Sequence, residues 1–128
     1  LALHQLEKLE RFNEHRKKIA QEYYEALEDT VFDLPKDFDE RENIFLRFAV
    51  KHPKAHDIIR KAWKQNLLIG DWYTNVLAPD DTQLDKLGYG KGSCPKAEKL
   101  AGITLNLPTH INIGEREQKK IIDFLNEY

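Results

Sequence analysis

The sequence predicts an α+β fold, an α/β sandwich in which about three short strands pack against helices. Long stretches repeat apolar residues at three- and four-residue steps, which is typical of amphipathic helices. Segment 43–51 alternates its side chains as a half-buried strand does. Two short apolar runs, 67–69 and 103–107, are predicted to be the second and third strands.

The composition is that of a single globular domain. The chain has 128 residues, of which 41% are hydrophobic and 33% charged, a balance that excludes disordered and membrane-embedded classes. A formal net charge of -2 gives no bias toward nucleic acid or anionic lipid. No apolar run reaches the roughly 18–20 residues needed to cross a bilayer.

The first element is predicted to be one long helix over 2–28. Apolar residues mark its buried face at helical steps: Leu6, Leu9, Phe12, Ile19, Tyr23 and Leu27. At ~1.5 Å per residue it would span about 40 Å, so its apolar N-terminal end is expected to project toward a partner. The chain contains no methionine and opens within this pattern without a capping residue, which suggests an excised piece.

The middle of the chain alternates loops with short elements. Segment 33–42 holds a proline and five acidic residues, which favours an exposed loop. After the strand at 43–51, Pro53 is predicted to lie in the first turn of a helix that ends near Asn66. Segment 71–92 is long, irregular and rich in glycine, and its glycine spacing favours a mobile loop over a phosphate cradle.

The last third is predicted to be helix, strand and helix. Ser93 is expected to cap a short helix that has Pro95 in its first turn and runs to Ala101. The strand at 103–107 follows, and Gly114 starts a final amphipathic helix.

Metal and thiol chemistry are not predicted. His52 and His56 are spaced like two ligands on one helical face, but no glutamate follows as in zinc proteases, and surface histidines at a helix start are favoured. Cys94 is the only cysteine, which excludes an intrachain disulfide. Ser93 and Lys96 match a nucleophile–base spacing without its companion motifs, so a helix cap explains them better.

One segment stands out as a candidate site, namely Asp71, Trp72 and Tyr73. Two aromatic side chains and a carboxylate directly follow a predicted strand and enter a long loop, a place where binding residues are common. The alternative is that the two rings cover the core while the carboxylate caps a turn. The residues alone leave both interpretations open.

Several segments, taken in order, resemble the C-terminal part of the DegT/DnrJ/EryC1/StrS aminotransferase family. They include the helical stretches Gln5–Leu9 and 16–27, the segment 66–78, the run Cys94-Pro95-x-Ala97-Glu98-x-Leu100-Ala101, and Leu105–Pro108. The resemblance covers nearly the whole chain.

This resemblance implies that 1–128 is the C-terminal small domain of a type I fold enzyme that depends on pyridoxal phosphate (PLP). A large domain, absent from the chain, would hold PLP through a lysine Schiff base, and a cytoplasmic homodimer would complete the site. Family members move an amino group from glutamate to a keto-sugar nucleotide in amino-sugar and polysaccharide biosynthesis. The chain has no catalytic residue of its own by this comparison and is expected to be inactive alone.

The resemblance also implies that Asp71, Trp72 and Tyr73 face substrate, with departures from the family pattern. Tyr73 stands where the family has tyrosine, but Trp72 replaces a usual histidine, Val76 a usual proline, and Ala78 a second histidine. Two alternatives to a transaminase therefore stay open. One is a stand-alone protein-interaction module whose first helix docks a partner, and the other is a family member with a dehydratase or regulatory role.

Overall fold

The computed structural model describes residues 2–36, 40–77 and 82–128, and its elements confirm the α+β prediction. The helices pack around a small antiparallel sheet. In chain order the elements are α1 (Ala2–Leu6), α2 (Leu9–Leu27), β1 (Phe48–Lys51), α3 (Ala55–Lys64), a 3₁₀ turn (Leu84–Leu87), α4 (Pro95–Ile103), β2 (Thr104–Leu107) and α5 (Glu115–Leu125). Within the described ranges, no helix is both long and apolar enough to span a membrane.

The sheet has two strands rather than three in the described part of the chain. In its register Phe48 lies opposite Leu107 and Lys51 opposite Thr104. The predicted strand at 67–69 is wrong, because only Gly70 makes a bridge, to Asn106 of β2. Three apolar residues are too few to indicate a strand reliably. On the other edge, Asp33 makes a single bridge with Lys51 of β1.

Strand β1 begins at Phe48, five residues later than the sequence predicts. The cause lies at Phe45, whose φ of 47° is left-handed and interrupts extended backbone. The Thr109 hydroxyl donates to the carbonyl oxygens of Phe45 at 2.7 Å and Leu46 at 3.1 Å. These carbonyls therefore bond to a side chain, and segment 43–47 forms a bent approach to the sheet.

The predicted single helix over 2–28 is divided by a turn at Glu7 and Lys8. Helix α1 has no buried residue, and Leu3 is 72% exposed, whereas α2 carries its buried face in its second half. Helices in proteins are stabilised mainly by packing one face against the core. Because α1 buries no face, packing does not stabilise a continuous helix across residues 7 and 8. The apolar N-terminal end is exposed as predicted, with Leu1 outside the described residues.

The core lies between α2, the sheet, α3 and α5. Its fully buried side chains include Tyr23, Leu27, Phe48, Val50, Ile58, Leu105, Leu107, Ile121 and Leu125. Two buried polar groups hold α2 in place: the Tyr23 hydroxyl donates to the Pro108 carbonyl at 3.1 Å, and the Gln118 amide to the Ile19 carbonyl at 3.0 Å. These bonds satisfy carbonyls that would otherwise be buried without a donor.

The ends of α3 and α4 follow local rules. Asn66, with a φ of 56°, ends α3 in a left-handed cap, as the Leu67 amide donates to Ala62 and the Asn66 amide to Trp63. The N-cap of α4 is Cys94 rather than the predicted Ser93, because Pro95 already occupies the first helical position.

The two histidines around α3 have structural partners. Pro53 precedes the helix, which begins at Ala55 rather than at the proline. The His52 Nδ1 accepts the Lys54 amide at 3.0 Å, and the His56 Nε2 contacts the Ala101 carbonyl at 3.1 Å. Burial lowers the pKa of His52, with a smaller effect from Lys54, which suits a neutral ring that accepts a hydrogen bond. The described residues contain no group of three or more histidine, cysteine or acidic side chains placed to hold a metal ion.

Candidate functional site

A cleft of about 1120 Å³ lies beside the sheet. Its walls are segment 43–47, the loop residues 72, 73, 75 and 76, and one face of α4. The bent approach to β1 forms one wall because Phe45 leaves the extended conformation there. The cleft, which residues 35, 36, 41 and 42 also line, is therefore built from four stretches that are distant in sequence.

Trp72 and Tyr73 both line this cleft. Their rings stack with centroids 5.7 Å apart and planes 20° apart, and they are 55% and 63% exposed. The alternative that these rings cover the core is therefore wrong. No side chain or backbone group among the described residues bonds to the Tyr73 hydroxyl, which leaves it available to a ligand.

Asp71 lies apart from the other two predicted residues. It borders a separate depression of about 280 Å³, together with His56, Arg60 and Trp63 from α3. The structure thus brings Trp72 and Tyr73 together in the cleft and places the Asp71 carboxyl elsewhere. Val76 also lines the cleft, and Ala78 is outside the described residues.

Two residues that the sequence analysis missed hold Trp72 in position. The Arg47 guanidinium carbon lies 4.7 Å from the centroid of the Trp72 ring, a cation–π contact. The side-chain amide of Asn106, a buried residue of β2, donates to the Trp72 carbonyl oxygen. Asn106 is itself fixed by backbone bonds with Gly70 at 2.8 and 3.0 Å.

The charged groups lining the described part of the cleft are mostly cationic. Lys36, Arg41 and Arg47 contribute positive charge, and Glu42 is the carboxylate among the described lining residues. Glu42 forms an ion pair with Lys17, whose hydrogen bond lowers the pKa of that carboxyl. Because this pair neutralises Glu42, the described lining of the cleft carries a net positive charge.

The glycine-rich loop of 88–92 is tied to α4 by one carboxylate. Glu98 Oε1 accepts the Tyr89 hydroxyl at 2.7 Å and the Gly92 amide at 2.6 Å. These two bonds, led by that from Tyr89, lower the pKa of Glu98, and the same contact raises the pKa of Tyr89 to about 12. Between this loop and residues 74–77 lies another cavity of about 280 Å³.

Replacing Glu98 with alanine is expected to release this loop. Both Tyr89 and Gly92 lose their acceptor, and trypsin cleavage after Lys91 should accelerate several-fold at neutral pH, since proteolysis follows local opening. Glu117→Ala, at an exposed acidic residue of α5, is the control. Equal cleavage rates in Glu98→Ala and the wild type would show that the carboxylate does not hold the loop.

The sequence matches the profile of one known family over nearly its whole length. A profile of the DegT/DnrJ/EryC1/StrS aminotransferase family matches residues 1–126. The chain belongs to that family. A Streptococcus pneumoniae structure in its PLP form has the same fold, with a TM-score of 0.83 at 21% identity, covering 97% of this chain and 33% of that one.

Two family relatives differ in the role that their names give. A pleiotropic regulatory protein of Geobacillus stearothermophilus is 30% identical over 123 residues, covering 94% of this chain and 33% of its own length. A dTDP-3-amino-3,4,6-trideoxy-alpha-D-glucose transaminase of Micromonospora megalomicea subsp. nigra is 28% identical over 130 residues, covering 95% and 34%. The chain therefore spans about a third of the length of these relatives.

Proposed function

We propose that this chain is the C-terminal small domain of a cytoplasmic, PLP-dependent aminotransferase that acts on a keto-sugar nucleotide as a homodimer. The observation that carries the proposal is the pair of exposed, stacked rings of Trp72 and Tyr73 in a cationic cleft of a family member. The similarity to a sugar transaminase over 95% of the chain supports the same substrate class.

Each ring has a distinct task in this proposal. The indole of Trp72 contacts an apolar part of the sugar through the surface that Tyr73 and Arg47 leave exposed. The Tyr73 hydroxyl, without a partner among the described residues, bonds to a substrate hydroxyl and orients it. Together the two side chains bind and position the sugar and exclude water from one side of it.

The cofactor itself is best assigned to another domain. A PLP imine needs a lysine amine held in a secluded pocket, where burial keeps it unprotonated and nucleophilic. None of the lysines in 2–36, 40–77 and 82–128 is buried, and the one that borders the cleft, Lys36, is exposed. We therefore assign the cofactor and its lysine to a domain outside this chain, which leaves the chain inactive alone.

The gene product in its native source tests this proposal. Borohydride reduction followed by peptide mapping should place PLP on a lysine outside 1–128, in a species far heavier than 15.0 kDa. That species should move the amino group of glutamate to a keto-sugar nucleotide, and the 128-residue chain should not. A native species of about 15.0 kDa without an adduct would make the chain a stand-alone interaction module.

In the same assay, Tyr73→Phe should lower kcat/KM about 2- to 10-fold, the effect of one neutral hydrogen bond. Tyr128→Phe is a matched control, because no hydrogen bond to that hydroxyl is present among the described residues. Unchanged kinetics in Tyr73→Phe would remove Tyr73 from the substrate contacts.

A regulatory role is the second candidate, and the 30% identity to a pleiotropic regulatory protein favours it. The replacement of a usual family histidine by Trp72 is a further difference from the sugar-transaminase pattern. A native protein that carries the PLP adduct but transfers no amino group would favour this candidate.

A further inference from the structure

Arg47 occupies a constrained position at the cleft wall. Its guanidinium lies over the Trp72 ring, with its carbon 4.7 Å from the ring centroid. A Cβ added to Gly70 would lie 3.7 Å from Arg47 Nη1, so the side chain also passes close to the Gly70 backbone. The backbone carbonyl of Trp72 is in turn bonded by the side chain of Asn106.

No hydrogen bond or ion pair among the described residues uses the N–H groups of the Arg47 guanidinium, which leaves them available. An arginine stacked on an aromatic ring can still donate two parallel hydrogen bonds to a carboxylate or phosphate. The ion pairs formed within the described ranges all involve other cations, so no carboxylate there lies within 4.0 Å of Arg47. Arg47 differs in this from Lys17, whose charge is neutralised by Glu14 and Glu42.

The surroundings of Arg47 are positive. Burial lowers the pKa of His110, and the charges of Arg47, Arg16 and His15 lower it further. Two buried nitrogens of this group, His15 Nε2 and Arg16 Nε, have no hydrogen-bond partner within the described residues. His110, after β2, thus lies near the cations Arg47 on the approach to β1 and Arg16 on α2.

We propose that Arg47 is an oxyanion-binding residue of the cleft, held against the Trp72 ring so that its N–H groups bind a phosphate or carboxylate group of the ligand. This deepens the proposed function, on which the identity of the ligand rests. The oxyanion has two sources in a transamination: the diphosphate of a nucleotide sugar and the carboxylate of the amino donor. Residue 47 would then select ligands by charge, while Trp72 and Tyr73 contact the sugar.

Titration of the 128-residue chain with inorganic pyrophosphate or with glutarate tests the proposal without turnover. Binding is read by calorimetry and by the indole N–H resonance of Trp72. Arg47→Gln should raise the Kd about 10- to 100-fold, as expected for a lost charge-assisted hydrogen bond. The Kd of Arg47→Lys should lie between those of the wild type and Arg47→Gln, because lysine keeps the charge but lacks the planar guanidinium. Arg60→Gln, which removes an exposed arginine paired with Asp57 outside the cleft, should bind as the wild type does.

The two probes distinguish the sources. Binding of pyrophosphate alone assigns Arg47 to the diphosphate, and binding of glutarate alone assigns it to the donor carboxylate. Equal affinity in the wild type and Arg47→Gln, or no binding of either anion to the wild type, would overturn the proposal. Because neither titration needs catalysis, the two proposals are tested separately. Anion binding lost in Arg47→Gln would support the role of Arg47 even if the native protein transferred no amino group.

Discussion

Replacing Phe48 with alanine is expected to lower the free energy of unfolding by about 3–5 kcal/mol, the usual cost of deleting a buried aromatic ring. Phe48 is fully buried at the start of β1 and contacts three other rings. The centroid distances are 5.4 Å to Tyr23, 4.8 Å to Tyr24 and 5.8 Å to Phe45. The substitution leaves a cavity where α2 packs against the sheet, and the surrounding rings can fill it only in part.

Urea unfolding followed by circular dichroism measures this loss. Leu46→Ala is a matched control from the same segment, because Leu46 is 64% exposed and its truncation should change stability by less than about 0.5 kcal/mol. If both variants unfolded at the same urea concentration, the aromatic cluster would not be the centre of the core.

Asn106→Leu is expected to cost about 1–3 kcal/mol and to free the Trp72 ring. The substitution keeps the volume of a buried residue but removes the donor to the Trp72 carbonyl, which is then left without its partner. In a Trp63→Phe background, Trp72 is the sole tryptophan, and its fluorescence anisotropy should fall. Chemical unfolding of the same proteins gives the change in stability.

Asn75→Leu is the control for this prediction. Asn75 also borders the cleft but is exposed, so its replacement should leave both the stability and the Trp72 anisotropy near their starting values. Trp72 anisotropy that is unchanged by Asn106→Leu would mean that Arg47 and Tyr73 alone hold the ring.

The helices were predictable because their signals are local. Apolar spacing predicted α3, α5 and the C-terminal end of α2 close to their observed bounds, and Pro95 marked the first turn of α4. The turn at Glu7 and Lys8 has neither glycine nor proline to mark it, and it arises because α1 lacks a core to pack against. The predicted start of β1 was wrong for a related reason. The Thr109 hydroxyl, which bonds to the Phe45 carbonyl, lies 64 residues away in sequence and leaves no local signal.

The candidate site was predictable only in part. Trp72 and Tyr73 stand out because two aromatic residues follow an apolar run, and both line the cleft. Arg47 resembles any exposed strand residue in sequence, and Asn106 resembles any polar residue within a strand. Their importance depends on contacts with Trp72 across 25 and 34 positions, which no local pattern encodes.

The two single bridges that flank the sheet bear on the behaviour of the protein at high concentration. Asp33 bonds to Lys51 through both backbone groups and through an ion pair of 2.7 Å, while Gly70 bonds to Asn106 on the opposite side. Unpaired strand edges are templates onto which another chain can add a strand, and charged, interrupted edges resist this. The four-residue strands thus present little continuous edge, and aggregation by strand addition at this sheet is disfavoured.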